Sequence, residues 1–127
     1  MKVLIVDDTT MVRVVLKRWC VNLGLSEADI IEAENGQRAL SRFETSSPDA
    51  VITDWSMPVM DGLTLVQEIR KRNSTVPIVM VTSQAERDQV VAALEAGIND
   101  YLVKPFSPID IKRKLSKLFA LHATGRS

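Results

Sequence analysis

Three aspartates, a threonine and a lysine in this sequence follow directly on short apolar runs, where a buried strand would end. They are Asp7, Asp8, Asp54, Thr82 and Lys104. If these side chains meet, the carboxylates repel one another in a partly dry cleft and need a compensating cation. Mg²⁺ is the natural candidate, because it prefers oxygen ligands and is held by carboxylates together with phosphate oxygens. A carboxylate beside such a cation can attack a phosphoryl group as a nucleophile, while the hydroxyl and ammonium groups bind its oxygens.

The apolar runs that precede these residues are continuous and mostly β-branched, which is typical of strands covered on both faces in a parallel sheet. The predicted strands are residues 3–6, 29–33, 50–53, 78–81 and 101–103. Between them, apolar residues recur at helical spacing. The first predicted helix starts after Thr9 or Thr10 and ends at Gly24, and the others cover residues 36–43, 63–72, 90–96 and 109–121. A turn is predicted at residues 57–62, before the third helix.

Five strand-helix units with short connections predict an α/β protein with one open, doubly wound parallel sheet and helices on both faces. In such a sheet, ligands bind outside the carboxyl ends of the strands. The five candidate side chains all lie at those ends. We therefore expect segments that are distant in sequence to bring them together along one edge of the sheet.

The composition is that of a single domain. The 127 residues are 46% apolar, which is enough to bury one core. The 16 basic and 16 acidic side chains cancel, so no overall field favours nucleic acid or an anionic membrane. Cys20 has no partner for an internal disulfide, and no apolar run approaches the roughly 18 residues of a membrane span. We expect a cytoplasmic protein with one domain over residues 1–121 and a short tail over 122–127.

Each candidate residue also has a simpler interpretation. A pair of aspartates after a strand often only forms a turn or caps a helix. Thr82 could be the N-cap of the next helix, and Lys104 could be an ordinary exposed lysine. Taken one at a time these interpretations are favoured, but they do not account for four strand ends together. The basic residues at 112–114 and 117 lie late in the last helix, where cations suit the helix dipole, and are expected to form a solvated face.

Four segments make the sequence resemble the receiver domains of bacterial response regulators, and among these the stand-alone chemotaxis receivers. The segments are residues 3–8, 54–62, 81–83 and 101–106, and the resemblance covers essentially the whole chain. It implies a flavodoxin-like fold with five strands in the order 2-1-3-4-5 and five helices. It also implies a single-domain response regulator of a two-component phosphorelay.

The resemblance assigns roles around a magnesium ion. Asp54 matches the aspartate that accepts the phosphoryl group. Asp8 matches the acid that contacts Mg²⁺ directly, and Asp7 matches the one that often acts through water. The backbone carbonyl of Ser56 matches a further metal ligand.

Other roles concern the phosphoryl group and the switch. Lys104 matches the lysine that contacts the phosphoryl group, and the bond from Lys104 to the following proline is cis in the family. Thr82 matches the switch hydroxyl, and Tyr101 matches the aromatic ring that changes rotamer with it. The sequence departs from the chemotaxis pattern at Ser56 and Gln84. Their side chains border the path of the attacking water, so the phosphoryl lifetime is not carried over.

The resemblance also implies how the protein acts. A receiver takes its phosphoryl group from a histidine kinase, dephosphorylates itself slowly and is not a turnover enzyme. We expect it to signal by docking to an output protein, such as a flagellar motor switch component. The family suggests the face of the fourth helix, fifth strand and fifth helix for this docking. We expect a monomer that binds neither nucleic acid nor membrane.

Three alternatives stay open on sequence alone. A phosphorelay carrier of the same family would pass its phosphate to a histidine of another protein. A flavodoxin-like cofactor-binding module would share the fold, but Asp7 and Asp8 would repel a phosphate where that class has a loop rich in Gly, Ser or Thr. An aspartate-dependent phosphohydrolase would need a second acid-base group, and the lone histidine, His122, lies in the predicted tail.

Overall fold

A five-stranded parallel sheet forms the centre of the protein. The structure is a computed structural model and describes residues 1–83 and 87–125. The strands are β1 (Val3–Val6), β2 (Ile30–Ala33), β3 (Ala50–Asp54), β4 (Ile78–Thr82) and β5 (Asp100–Val103). They lie in the order β2-β1-β3-β4-β5, and every neighbouring pair is parallel. The predicted fold class and strand order are confirmed.

Five α-helices follow the strands. They are α1 (Thr10–Asn22), α2 (Gly36–Ser46), α3 (Gly62–Arg72), α4 (Arg87–Ala96) and α5 (Pro108–Gly125), and a 3-10 turn at Glu27–Asp29 leads into β2. Side-chain oxygens of Asn35 and Asp61 cap α2 and α3 by accepting backbone N–H groups at 2.8 Å. In the part of the chain that the structure describes, no helix combines the length and hydrophobicity needed to cross a membrane.

The sheet separates two hydrophobic cores. Val3 and Ile5 of β1 belong to one core with side chains of α1 and α5, which we call the α1/α5 core. Leu4 and Val6 belong to the other core with side chains of α2, α3 and α4, which we call the α2/α3/α4 core. Successive side chains of a strand point to opposite faces, so β1 contributes to both. All four residues of β1 are 0% exposed, as expected for a strand covered on both faces.

Two helices extend beyond the apolar stripes that predicted them. α2 continues from the predicted end at Phe43 to Ser46, and Ser47 then ends it with a left-handed φ of 47°. α5 continues from the predicted end at Leu121 through residues 122–125. Once a helix has formed, each further residue adds a backbone hydrogen bond without needing a buried side chain. An apolar stripe therefore gives only a minimum length.

Cys20 lies in the α1/α5 core and is a free thiol. Burial raises the pKa of this thiol to about 12. The thiolate is the reactive form of cysteine, so Cys20 is chemically inert at neutral pH. Its contribution is to packing.

Candidate functional site

The carboxyl ends of four strands bring the candidate residues to one edge of the sheet. Asp7 and Asp8 follow β1, Asp54 and Thr82 end β3 and β4, and Lys104 follows β5. Backbone hydrogen bonds extend the parallel register past the strand ends. The N–H of residue 55 donates to the carbonyl of residue 81 at 3.0 Å, and the N–H of residue 104 donates to the carbonyl of residue 82 at 2.8 Å. Segments from four parts of the chain therefore meet here.

Three carboxylates form an acidic cluster at this edge. One oxygen from each of Asp7, Asp8 and Asp54 lies within 4.8 Å of the others. Asp7 is fully buried, Asp54 is 5% exposed and Asp8 faces solvent. Mg²⁺ is a hard cation that is held by one or two carboxylates and keeps several waters. A donor set made only of oxygens, buried on one side and open on the other, fits such an ion.

The Lys104 ammonium lies between two of these carboxylates. Its Nζ is 3.0 Å from Asp7 Oδ2 and 3.5 Å from Asp54 Oδ2. Partial burial lowers the pKa of Lys104, but the hydrogen bond to Asp7 and the charges of Asp54 and Asp7 outweigh it and leave that pKa raised. Lys104 is therefore protonated at neutral pH. The cluster has three carboxylates and only this one ammonium, so it keeps a net negative charge that a bound cation would offset.

The Asp54 carboxylate is held in one orientation. Its Oδ1 accepts a hydrogen bond from the Trp55 backbone N–H at 2.9 Å, and its Oδ2 faces Lys104. Burial, and then the charge of Asp7, raise the pKa of Asp54 to about 6, while Lys104 and the Trp55 N–H act in the opposite direction. The group is mostly ionised at neutral pH. It is also more basic than an ordinary aspartate, which favours a role as a nucleophile.

Every polar group of Asp7 has a partner. Its N–H donates to the Ala33 carbonyl at 3.1 Å, and its carbonyl accepts from Arg13 at 2.6 Å. Its carboxylate accepts from the Thr9 N–H at 2.8 Å and from Lys104 at 3.0 Å. A fully buried carboxylate is stable only when it is partnered in this way. Sequence analysis does not single out Arg13, although a cation near the N-terminal end of α1 opposes the helix dipole and so indicates a tertiary partner.

Thr82 and Ser56 occupy different environments near the cluster. Thr82 is 6% exposed and ends β4. It is not the N-cap of α4, because it lies in β4 and the next residue, Ser83, is not helical. Ser56 is exposed, two residues beyond Asp54. The bond from Lys104 to Pro105 is cis, whereas Gln84 lies outside the described residues.

Tyr101 lies on β5 and packs against the α2/α3/α4 core. The Lys114 Nζ is 4.7 Å from the centroid of its ring and 2.7 Å from Asp100 Oδ1. The same carboxylate oxygen accepts the backbone N–H of Tyr101 at 2.8 Å. The prediction of a solvated basic face is therefore wrong for Lys114, which is tied to β5 by an ion pair and a cation–π contact. Residues 112, 113 and 117 are exposed, as predicted.

The start of α3 packs directly against the end of β3. The N–H of Gly62 donates to the carbonyl of Trp55 at 2.8 Å. A Cβ at position 62 would overlap the carbonyl oxygen of Asp54, so only glycine fits there. The preceding turn is present as predicted, and within it Val59 has a φ of 72°, which is rare for a β-branched residue. The start of α3 is thus in direct contact with the backbone of Asp54 and Trp55.

The family model described as the response regulator receiver domain matches residues 3–116 of the chain. The chain is similar to the chemotaxis protein CheY1 of Helicobacter pylori, with 42% identity over 118 residues that cover 91% of this chain and 94% of that protein. It is also similar to the chemotaxis protein CheY homolog of Campylobacter jejuni, with 43% identity over 119 residues that cover 91% and 89% of the two chains.

A solved structure gives the same result. The fold superposes on the Vibrio cholerae chemotaxis protein CheY4 with a TM-score of 0.84 and 28% identity, covering 92% of this chain and 97% of that one. Sequence identity, the extent of the family match and the topology agree with the resemblance first indicated by the motifs at the strand ends. The chain belongs to the family of response regulator receiver domains.

Proposed function

We propose that this protein is a phosphorylation-controlled signalling switch, which accepts a phosphoryl group on Asp54 and signals by docking to a partner. The observation that carries the proposal is the surroundings of the Asp54 carboxylate. An oxygen of it lies within 4.8 Å of oxygens of Asp7 and Asp8, and its Oδ2 is 3.5 Å from Lys104 Nζ. A nucleophile, a cation-binding cluster and a fixed positive charge thus share one edge of the sheet.

The donor in this proposal is a phosphohistidine of a histidine kinase. An oxygen of the Asp54 carboxylate attacks phosphorus, the P–N bond breaks, and the imidazole leaves with the electron pair of that bond. The Trp55 N–H holds the carboxylate in place during the attack. Lys104 can move its hydrogen bond from Asp7 to an oxygen of the phosphoryl group. The resulting acyl phosphate hydrolyses slowly, so the protein is a switch and not a turnover enzyme.

The acidic cluster is the magnesium site in this proposal. Asp8 and Asp54 are the direct carboxylate ligands, and the carbonyl of Ser56 is a further one. Asp7 acts through water in this proposal, and its two oxygens also accept hydrogen bonds from Thr9 and Lys104. When bound, Mg²⁺ supplies positive charge that offsets the charge of the phosphoryl oxygens.

Chemotaxis is the proposed setting, supported by the names of relatives that are 42% and 43% identical to this chain. The protein acts in the cytoplasm as a monomer, receives its phosphoryl group from a histidine kinase and docks to an output protein such as a flagellar motor switch component. Neither nucleic acid nor membrane is a partner. The flavodoxin-like alternative suits the site poorly, since Asp7 and Asp8 would face the phosphate of a flavin nucleotide.

Phosphorylation must change more than one contact to act as a switch. It adds about 1.5–2 negative charges and three acceptor oxygens. A hydrogen bond to a charged group contributes about 1.5–3 kcal/mol, whereas moving a two-state equilibrium from 1:99 to 99:1 needs about 5.5 kcal/mol. Thr82 alone is therefore insufficient. In our proposal Thr82 and Lys104 together bias the segments after β3 and β4, Tyr101 responds, and partner binding completes the shift.

Thr82→Ala should uncouple Tyr101 from the phosphorylated state. Losing one hydrogen bond to the phosphoryl group should reduce the switching equilibrium constant by about tenfold or more. The chain contains one tyrosine, so fluorotyrosine labelling gives a single fluorine NMR resonance for Tyr101. We expect this resonance to shift with Mg²⁺ and beryllofluoride, a phosphoryl analogue, and the shift to be largely lost in Thr82→Ala. Thr82→Ser keeps the hydroxyl and should respond as the unchanged protein does. Equal shifts in all three proteins would contradict the coupling.

Mg²⁺ binding tests the proposed function directly. Trp55 adjoins the acidic cluster. Trp19→Phe removes the other tryptophan, so the tryptophan fluorescence of this variant comes from Trp55 alone. We expect a saturable fluorescence change with millimolar Mg²⁺ that Asp8→Asn strongly weakens. Because the pKa of Asp54 is about 6, protons should compete with the cation below that pH. The affinity should then fall by up to about tenfold per pH unit.

The control for this titration is Asp61→Asn, because Asp61 caps α3 and an asparagine can make the same cap. It removes a carboxylate near the site without touching the cluster. Its Mg²⁺ affinity should match that of the Trp19→Phe parent. If the fluorescence of the Trp19→Phe parent stayed unchanged up to millimolar Mg²⁺, the proposed function would be contradicted.

A further inference from the structure

Asp8 is the exposed carboxylate of the cluster. Within residues 1–83 and 87–125 the structure gives the Asp8 side chain no hydrogen bond or ion pair, whereas Asp7 has both carboxylate oxygens bonded. The placement of Asp8 therefore depends on the backbone that carries it. The peptide group between Asp7 and Asp8 sets the direction in which the Asp8 side chain leaves the chain.

Arg13 holds that peptide group. Its Nη1 donates to the carbonyl oxygen of Asp7 at 2.6 Å, which is a short, charge-assisted hydrogen bond. The guanidinium is itself held: Nε donates to Glu32 Oε1 at 3.1 Å, and Nη2 donates to Thr10 Oγ1 at 3.3 Å. The Arg13 side chain is only 15% exposed. A planar guanidinium with three of its donors engaged has little freedom to move.

The partner of Arg13 is part of the sheet. Glu32 lies on β2 directly beside Ile5 of β1 in the parallel register. Arg13 therefore connects three elements: α1, the edge strand β2, and the main chain just past β1. The N–H of Asp7 bonds to β2 as well, through the Ala33 carbonyl at 3.1 Å. The Asp7 backbone is fixed from both sides, at its N–H and at its carbonyl.

We infer that Arg13 is a positioning residue for the divalent-cation site, which orients Asp8 by clamping the Asp7 carbonyl to Glu32. This inference rests on the proposed function and adds to it a residue outside the acidic cluster. It has a counterintuitive consequence, because a positive charge close to the cluster by itself repels a cation. If Arg13 acted only through its charge, its removal would favour Mg²⁺ binding. A positioning role predicts that losing the planar fork weakens binding even when the charge stays.

Arg13→Lys separates these two effects, since it keeps the charge and loses the fork. In the Trp19→Phe background, we expect Mg²⁺ to bind about tenfold more weakly to Arg13→Lys, the range found when groups that orient metal ligands are changed. The fluorescence change at saturating Mg²⁺ should match the parent, because the ligands themselves remain. Arg18→Lys is the matched control: the same change on an exposed residue of the same helix, expected to leave the affinity unaltered.

A double-mutant cycle with Glu32→Gln tests the connection. Glu32→Gln should weaken Mg²⁺ binding by itself, and the double variant with Arg13→Lys should bind no more weakly than Arg13→Lys alone, because both changes break one clamp. If the two substitutions instead weakened Mg²⁺ binding by independent factors that multiply in the double variant, that result would overturn the inference. So would an Arg13→Lys protein with lowered stability to urea but the affinity of the parent, since that is the outcome of a merely structural role.

The Mg²⁺ titrations distinguish a failure of the positioning role of Arg13 from a failure of the proposed function. If the parent binds Mg²⁺ and Arg13→Lys binds it equally well, the positioning role is wrong and the proposed function stands. If the parent shows no saturable response to Mg²⁺, the proposed function and the positioning role are both overturned.

Discussion

Replacing Asp54 with asparagine should reduce phosphorylation of this protein by acetyl phosphate to background. An amide oxygen is a far weaker nucleophile than a carboxylate oxygen, and no covalent acyl phosphate can form on it. The fold should be unaffected, because the asparagine oxygen can still accept the Trp55 N–H and Asp7 still partners Lys104. Intact-mass spectrometry with Mg²⁺ present would count the phosphoryl groups gained.

The control for Asp54→Asn is again Asp61→Asn, in the turn that follows β3. It makes the same chemical change on an aspartate that caps α3, and it should leave phosphorylation intact. If Asp54→Asn gained one phosphoryl group as fast as the unchanged protein, the acceptor would be another residue. Peptide mapping of the phosphorylated protein would then locate it.

Gly62→Ala should destabilise the protein by about 3 kcal/mol, at the upper end for overpacking. The added methyl group would overlap the carbonyl oxygen of Asp54, which is main chain and cannot rotate away. To make room, α3 must move off the end of β3, and the hydrogen bond from the Gly62 N–H to Trp55 would be lost. Urea denaturation would measure the change in the free energy of unfolding. The same displacement should weaken Mg²⁺ binding, since it acts on the backbone of Asp54.

Gly24→Ala separates steric overlap from backbone strain. Gly24 has a φ of +106°, but a Cβ there would meet nothing within 4 Å. The substitution should cost only about 1–2 kcal/mol, the strain of a left-handed conformation. Gly24 follows the C-terminal end of α1, whereas Asp7 and Asp8 precede its N-terminal end, so the substitution should not alter Mg²⁺ affinity. A Gly62→Ala protein as stable as Gly24→Ala would contradict the close packing of α3 on β3.

The strands could be predicted because their sequences leave few options. The run from Val3 to Val6 is apolar at every position, which suits a strand buried on both faces and no surface element. Helix ends were harder, since polar residues can continue a helix without any packing. Residues 44–46 and 122–125 lengthen α2 and α5, although no apolar stripe predicts that these residues are helical.

The location of the site followed from topology. In a parallel sheet, residues just past the strands share an edge, so Asp7, Asp54 and Lys104 had to converge once the strands were identified. Their exposures could not be predicted. Asp7 is 0% exposed while its neighbour Asp8 faces solvent, and this difference depends on which side of the chain α1 and Lys104 cover.

The contacts made by long side chains could not be predicted from the sequence. Arg13 reaches back to the Asp7 carbonyl and across to Glu32, and Lys114 reaches Tyr101 and Asp100 on β5. Arginine and lysine have many rotamers, and their charge alone predicts that they lie on a solvent-exposed surface. Only the packing of helices on the sheet decides which of them turn inward.

The division of β1 between two cores has a bearing on the acids that follow it. If the pairing of β1 slipped by one residue, Leu4 and Ile5 would exchange cores, and Asp7 would move by one residue along the strand axis and turn to the opposite face of the sheet. The mutual repulsion of carboxylates would favour such a slip, but the fit of apolar side chains on both faces opposes it. The packing of β1 in both cores therefore fixes the position of the acids that follow it, whatever charges they carry.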